Sequence, residues 1–325
     1  MKQLFFILSI LIMVSCQETK NEVDILCAEP TLIGDQILGQ TSLVILGTIQ
    51  DAGSPQIGCK KDCCIDLFNH PDKDRKVVSL GLIDAEEKKT YLFEATPDMV
   101  SQAKVLKGFA GVGNEVPNGI FLTHAHIGHY TGLMYLGKEA MNADSVLVCA
   151  MPKMKSFLES NGPWSQLVNN GNIKLSGIEA NNPVLISPSI EVIPMLVPHR
   201  DEFSETVGYV IAGPTKSALF IPDIDKWEKW ETDIITLLQT VDYAFLDATF
   251  YDAEELNNRD MSEIPHPFIV ESMEKFKDLP ASEKSKIYFI HFNHTNPVIN
   301  PDSPQAKTVK ENGFNIAQFG DIFSL

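Results

Sequence analysis

Thr123-His124-Ala125-His126-Ile127-Gly128-His129 follows directly on the apolar run Gly119-Ile120-Phe121-Leu122. Three of the chain's eight histidines therefore fall within six positions, at the end of a segment that reads as a buried strand. Imidazole is the commonest metal-binding side chain near neutral pH, and a loop leaving a strand can aim several rings at one point. Packing alone gives no reason for such crowding, so the stretch reads as part of a metal centre.

A metal held there needs ligands from elsewhere in the chain. Three later apolar runs end in suitable groups: Met195-Leu196-Val197-Pro198-His199, Leu219-Phe220-Ile221-Pro222-Asp223 and Tyr288-Phe289-Ile290-His291. A single polar residue at a strand end is ordinary. A set of them following one histidine cluster points to one shared ion.

The spacing at 124–129 resembles the His-x-His-x-Asp-His signature of the metallo-β-lactamase superfamily, with Gly128 where an aspartate usually stands. His199, Asp223 and His291 fall where that family carries its third histidine, bridging aspartate and last histidine. The resemblance implies an α/β fold, an αββα metallo-β-lactamase-like sandwich with one or two ions at its edge. One ion would use His124, His126, His199 and Asp223. A second would use His129, Asp223 and His291; Gly128 contributes nothing, so this position is expected to bind more weakly. Zinc suits the nitrogen-rich shell best, with iron and manganese also compatible.

Asp247-Ala248-Thr249-Phe250 is similar to the Glu-Ala-Thr-Phe segment of tRNA-processing members, and His266 in Ile264-Pro265-His266-Pro267 falls where those enzymes have a histidine that assists catalysis. The resemblance implies that Asp247 orients His266, which protonates a leaving oxygen, while Asp223 orients the attacking water. The terminus His291-Phe292-Asn293-His294-Thr295-Asn296-Pro297 is unusually polar, which makes His294 and Asn296 candidates for gripping substrate. Asp51, in the loop Thr48-Ile49-Gln50-Asp51-Ala52-Gly53, is a third.

Cys59-Lys60-Lys61-Asp62-Cys63-Cys64 admits two readings. An exported chain favours a disulfide, with Cys27 as a further partner. The short spacing also suits a small thiolate metal site, with His70 or Asp66 as an additional ligand. Together with residues 46–56, 123–132, 222–227, 247–251 and 291–297, the cluster resembles the branch of the superfamily containing the pyrroloquinoline-quinone biosynthesis protein B. That resemblance implies a structural zinc at Cys59, Cys63 and Cys64. Cys149, inside Ser145-Val146-Leu147-Val148-Cys149, reads as a small buried hydrophobe.

Met1-Lys2-Gln3 precedes an apolar stretch from Leu4 to Val14, too short to span a bilayer and typical of a secretory signal. It stops at Val14-Ser15-Cys16, which resembles a bacterial lipobox. The expected organisation is a signal peptide at 1–15, a lipid anchor on Cys16 with a flexible tether at 16–40, and one domain at 41–325. The expected location is outside the cytoplasm, on a bacterial membrane reached through the anchor only.

The 325 residues carry 43 acidic against 26 basic side chains, a net charge of −17. Such a surface repels phosphate backbones, which excludes nucleic acid and favours a small-molecule substrate. No motif specifies an oligomeric state. Strands are expected at 42–47, 77–83, 90–94, 120–122, 184–186, 190–196, 207–211, 218–221, 243–246 and 287–290, with helices at 131–141 and 267–277. Mixed elements of this kind make layers.

The favoured function is an exported metal-dependent hydrolase of a small phosphodiester or other ester. Two alternatives stand beside it. One is an iron-dependent oxygenase resembling the quinone-cofactor protein; the other is a lipoprotein that binds a small ligand without catalysis.

Overall fold

The computed structural model describes residues 40–111, 113–256 and 260–325. Cys16, Cys27 and the expected signal, anchor and most of the tether lie outside the described residues.

The first sheet takes β1 (Ser42–Gly47), β2 (Ser79–Asp84), β3 (Lys89–Phe93), β4 (Gly119–Phe121), β5 (Val146–Ala150) and β6 (Ile173–Gly177). The second takes β7 (Val184–Ser187), β8 (Ile190–Leu196), β9 (Val207–Ala212), β10 (Ser217–Ile221), β11 (Tyr243–Asp247), β12 (Ile287–Ile290) and β13 (Asn315–Ile316). The last strand, β14 (Ile322–Ser324), returns to the first sheet, giving the orders β14-β1-β2-β3-β4-β5-β6 and β13-β12-β11-β10-β9-β8-β7.

Each sheet begins as an antiparallel meander and becomes parallel: β3 to β6 in the first, β10 to β13 in the second. Parallel strands need crossovers, and the crossovers place helices on the outer faces. The central strands are therefore covered on both sides, which is why they read as unbroken apolar runs. On β1, Leu43 and Ile45 face the inter-sheet core with Phe93, Phe121, Tyr209, Phe220 and Phe245. Val44 and Leu46 alternate to the other face, against Met99, Leu106 and Leu133. The outer face of the second sheet packs Leu219, Leu246 and Phe289 on Ile234, Ile269 and Phe276. The αββα sandwich is thus the observed fold.

Phe93 and Phe121 stack at 5.1 Å, and Tyr209 from the opposite sheet meets Phe93 edge-on at 5.5 Å. The Tyr209 hydroxyl donates to Leu122 O, and Val207 N donates to Thr123 O at 3.2 Å. These bonds pin both sheets to the start of the histidine loop.

The expected helix at 131–141 is corrected. The chain makes one α-turn at Ile127–Tyr130 and a 3-10 turn at Thr131–Leu136, and Gly137 then turns extended. The close approach of Gly132 to the 95–96 backbone, where a Cβ would lie 2.2 Å from Thr96 O, holds this segment tight. The helix expected at 267–277 spans Ile269–Lys275, its start capped by Phe268 N donating to the Glu271 carboxylate at 2.8 Å. No helix among the described residues is long and apolar enough to cross a membrane.

A candidate metal centre at the sheet edge

Every candidate ligand leaves the end of a strand: the histidine loop after β4, His199 after β8, Asp223 after β10 and His291 after β12. The two sheets present these ends along one edge, the usual place for ligands in open α/β architecture. One ligand atom each from His124, His126, His199 and Asp223 lies within 4.8 Å of the others. Asp223 Oδ2 is 3.4 Å from His124 Nε2, and Asp223 Oδ1 is 3.2 Å from His199 Nε2. This is the first ligand set expected from sequence.

Beside it His129 and His291 converge, with Asp223 Oδ2 3.7 Å from His129 Nε2. The third member of this group is Asp51. Asp51, expected to grip substrate, thus lies beside these two imidazoles. A side chain at Gly128 would have met it: a Cβ there falls 1.7 Å from Asp51 Cβ.

Four of the rings have partners on their far nitrogens, while His199 Nδ1 is buried without one. His124 Nδ1 meets Thr123 Oγ1 at 2.9 Å, His129 Nδ1 meets Glu94 Oε1 at 3.4 Å, and His291 Nδ1 meets Thr249 Oγ1 at 2.8 Å. His126 faces Glu202 through Nε2 at 3.2 Å, leaving Nδ1 for the centre. Such contacts fix the tautomer that ligation needs. The inner atoms His124 Nε2, His129 Nε2, His291 Nε2 and Asp223 Oδ1 are buried and without a hydrogen-bond partner. Orphaned buried polar atoms of this kind are costly unless a ligand satisfies them, and a divalent cation fits the donor set.

The electrostatics agree. Burial holds His124 well below the ordinary imidazole range, neutral and ready to ligate. Burial opposes ionisation of Asp223, yet the His199 and His266 charges override it and keep the carboxylate ionised. For His129 burial also opposes charge, but Glu94, Asp51 and Asp223 raise it to about 9, so loading a metal there must displace a proton. Glu94 and His291 both sit at positive φ, 78° and 68°, a conformation that ordinary side chains accept only when their surroundings impose it.

His266 stands where the sequence expectation put it. Its Nδ1 is 2.8 Å from Asp247 Oδ2 and 3.1 Å from Asp223 Oδ1. Burial opposes its charge, and the Asp247 and Asp223 carboxylates overcome that and raise it to about 10. Asp247, also opposed by burial, is held low chiefly by His266.

The remaining expectations divide. Cys59, Cys63 and Cys64 converge, but their fourth partner is His294, not His70. His70 and Asp66 are both exposed, and neither belongs to the thiol group. All four described cysteines are free, so no disulfide forms among them. Burial and the neighbouring thiols push Cys63 up to about 12, a penalty that a bound cation relieves. His294 Nδ1 meets Asn293 Oδ1 at 3.0 Å, and burial keeps the ring neutral. The ring also lines an open cavity of ≈ 500 Å³ with Cys59, Lys60, Phe250, Glu255 and Thr295. Asn296, expected to grip substrate, has three partners within the chain. It is buried, donating to Ala248 O (2.9 Å) and Thr249 O (3.2 Å) and accepting from Val298 N (3.1 Å), which braces the loop carrying Asp247 and Thr249.

Glu94, Thr123 and Thr249 were not singled out from sequence. Glu94 carried the same signal as the other site residues, a polar group ending the apolar run Tyr91-Leu92-Phe93.

Comparison with known proteins bears on this geometry. A family described as beta-lactamase superfamily domain matches residues 89–292. Coenzyme PQQ synthesis protein B of Methylococcus capsulatus is 24% identical over 308 residues, covering 85% of this chain and 97% of its own. The zinc-bound PqqB structure from Methylobacterium extorquens superposes with a TM-score of 0.72 at 20% identity, over 87% of this chain and all of that one. A diphosphatase of the PhnP family superposes with a TM-score of 0.62 at 21% identity, over 88% and 97%.

Proposed function

The chain belongs to the beta-lactamase superfamily, and from that premise we propose that it is a metal-dependent hydrolase of a small phosphodiester or other ester. The observation that carries the proposal is His266, clamped by Asp247 at 2.8 Å immediately beside the four-ligand group of His124, His126, His199 and Asp223. A cation-binding pocket with a poised acid is the equipment of ester hydrolysis. A diphosphatase shares this fold, which keeps phosphorus esters first among the substrates we propose.

A zinc ion held by these residues would supply water with its pKa lowered towards ~7. The chain's own residues do the rest. His266 donates Nδ1–H to Asp247, which leaves Nε2 to deliver a proton to the leaving oxygen. Asp247 cannot swing away, because it also accepts from Ile224 N (3.1 Å), Thr249 N (3.0 Å) and Thr249 Oγ1 (2.7 Å). The Thr249 hydroxyl, donating to Asp247, accepts from His291 Nδ1 and so couples the acid to the ligand shell. Hydrolysis of bis(p-nitrophenyl) phosphate by the wild type and His124→Ala, and of a dialkyl phosphodiester by the wild type and His266→Ala, tests the reading, and equal rates within both pairs would overturn it.

We also propose a structural zinc at Cys59, Cys63, Cys64 and His294, and a lipid anchor at Cys16 on an exported chain. Metabolic labelling with palmitate, lost in Cys16→Ser, tests the anchor. A second reading, an iron-dependent oxygenase in quinone-cofactor assembly, draws on similarity to coenzyme PQQ synthesis protein B along most of the chain. Metal analysis of anaerobically purified protein with an oxygen-uptake assay separates the two.

A further inference from the structure

We infer that Asp51 has taken over the role left vacant at Gly128: the carboxylate of the second metal position reaches His129 and His291 from the loop after β1 instead of from the histidine loop. The inference rests on the metal-centre reading above and adds to it a fourth ligand for that position, with Asp223 between the two.

Position 51 is brought to the site by the second sheet. Ile49 pairs with Phe292, the residue after His291, and Phe292 N donates to Thr48 O at 2.8 Å. Gln50 N donates back to Phe292 O at 2.8 Å, and Gly53 N to Gln50 O at 2.9 Å closes the turn. The loop carrying Asp51 is thereby fastened to the strand end carrying His291. No hydrogen bond or ion pair occupies the Asp51 carboxylate among the described residues, and its oxygen lies within 4.8 Å of the His129 and His291 ligand atoms. Both those imidazoles have a buried, unpartnered Nε2.

Sterics make the two positions exclusive. A Cβ at 128 would lie 1.7 Å from Asp51 Cβ, 2.5 Å from its Cα and 3.0 Å from its Cγ. The contact is with backbone and the root of the side chain, so no rotamer change relieves it. Glycine at 128 is therefore the condition for having a carboxylate at 51. An ion there would see a mixed nitrogen–oxygen shell, not the weakened three-ligand set that the glycine alone implies.

The experiment is a metal count by mass spectrometry on full-length chains dialysed against zinc, with affinity read by competition against a chromophoric chelator. The thiolate cluster and the first position serve as internal references. Asp51→Ala and Asp51→Asn should each hold one ion fewer per chain. The affinity of the second position should fall by more than the roughly 10–100-fold caused by losing an outer-shell partner. Gly128→Asp should lower the melting temperature, because its Cβ meets Asp51 Cα and Cβ. An Asp51→Ala chain with the wild-type count and an affinity within twofold overturns the inference. No substrate enters the measurement, so loss of the hydrolase reading and loss of this one are separately visible.

Discussion

The Nδ1 of His266 lies 2.8 Å from Oδ2 of Asp247, and the carboxylate is fully buried while the ring keeps 14% of its side-chain surface exposed. Charge is thus anchored on the inner side and a proton is available on the outer one. His266→Ala should lower kcat by about 10²–10⁴ for esters with alkoxide leaving groups. The loss should shrink towards unity for p-nitrophenolate, which departs without protonation. A series of esters graded by leaving-group pKa checks this, and a penalty independent of the leaving group would mean that His266 does something other than protonate it.

Glu94 is fully buried, at positive φ, and its Oε1 has only the His129 ring at 3.4 Å to answer it. Its other oxygen receives the Thr123 amide at 3.5 Å, at the start of the histidine loop. A carboxylate in this setting exists to hold His129 in the tautomer that ligates. Glu94→Gln keeps the shape and removes the charge. Zinc affinity at the His129 position should drop about 10–100-fold with the fold intact by circular dichroism. Unchanged affinity in chelator competition would leave the buried carboxylate without this role.

Cys64 is buried and accepts from Gln56 N at 3.4 Å, with Cys63 Sγ 3.9 Å away. Cys64→Ser and His294→Ala should each remove one zinc per chain and lower the melting temperature, since a ligand that binds only the folded state stabilises it by roughly 4 kcal/mol at a thousand times its Kd. His70→Ala should change neither. Zinc counts on the three variants are the check, and loss of zinc in His70→Ala would restore the sequence-based assignment over the structural one.

The strand-end ligands were legible because each is a polar residue terminating an apolar run, a pattern contained within a few neighbouring positions. The neighbours of Asp51 and His294 were not legible, for the opposite reason. What these two residues face is decided by long-range approaches, Ile49 to Phe292 and His294 to the cysteines at 59–64, which no local period encodes. The helix Met99–Ala110 begins after Asp98, whose side chain makes no capping bond and instead accepts from Val77 N at 2.8 Å. Glu94 was read as the last strand residue. Only its positive φ and its burial against His129 set it apart, and both belong to the folded chain.

Glu255 offers a test away from the metal centre. It receives Tyr251 N on one oxygen and Thr295 Oγ1 (2.7 Å) on the other, and burial raises it to about 7 despite both bonds. A carboxyl raised on folding holds its proton more tightly in the native chain than in the unfolded one. Stability from this group is therefore complete below the unfolded value near 4.5 and declines as pH rises towards 7, the reverse of an ion-paired carboxylate. The full decline is on the order of 2–3 kcal/mol. Glu255→Gln removes the titration while keeping the acceptor for Tyr251 N. Urea melts should therefore show the variant close to wild type at pH 5 and more stable at pH 8. A stability difference that stays flat between those two pH values would show that Glu255 ionises in the folded chain as freely as in the unfolded one, and that burial there is too slight to hold its proton.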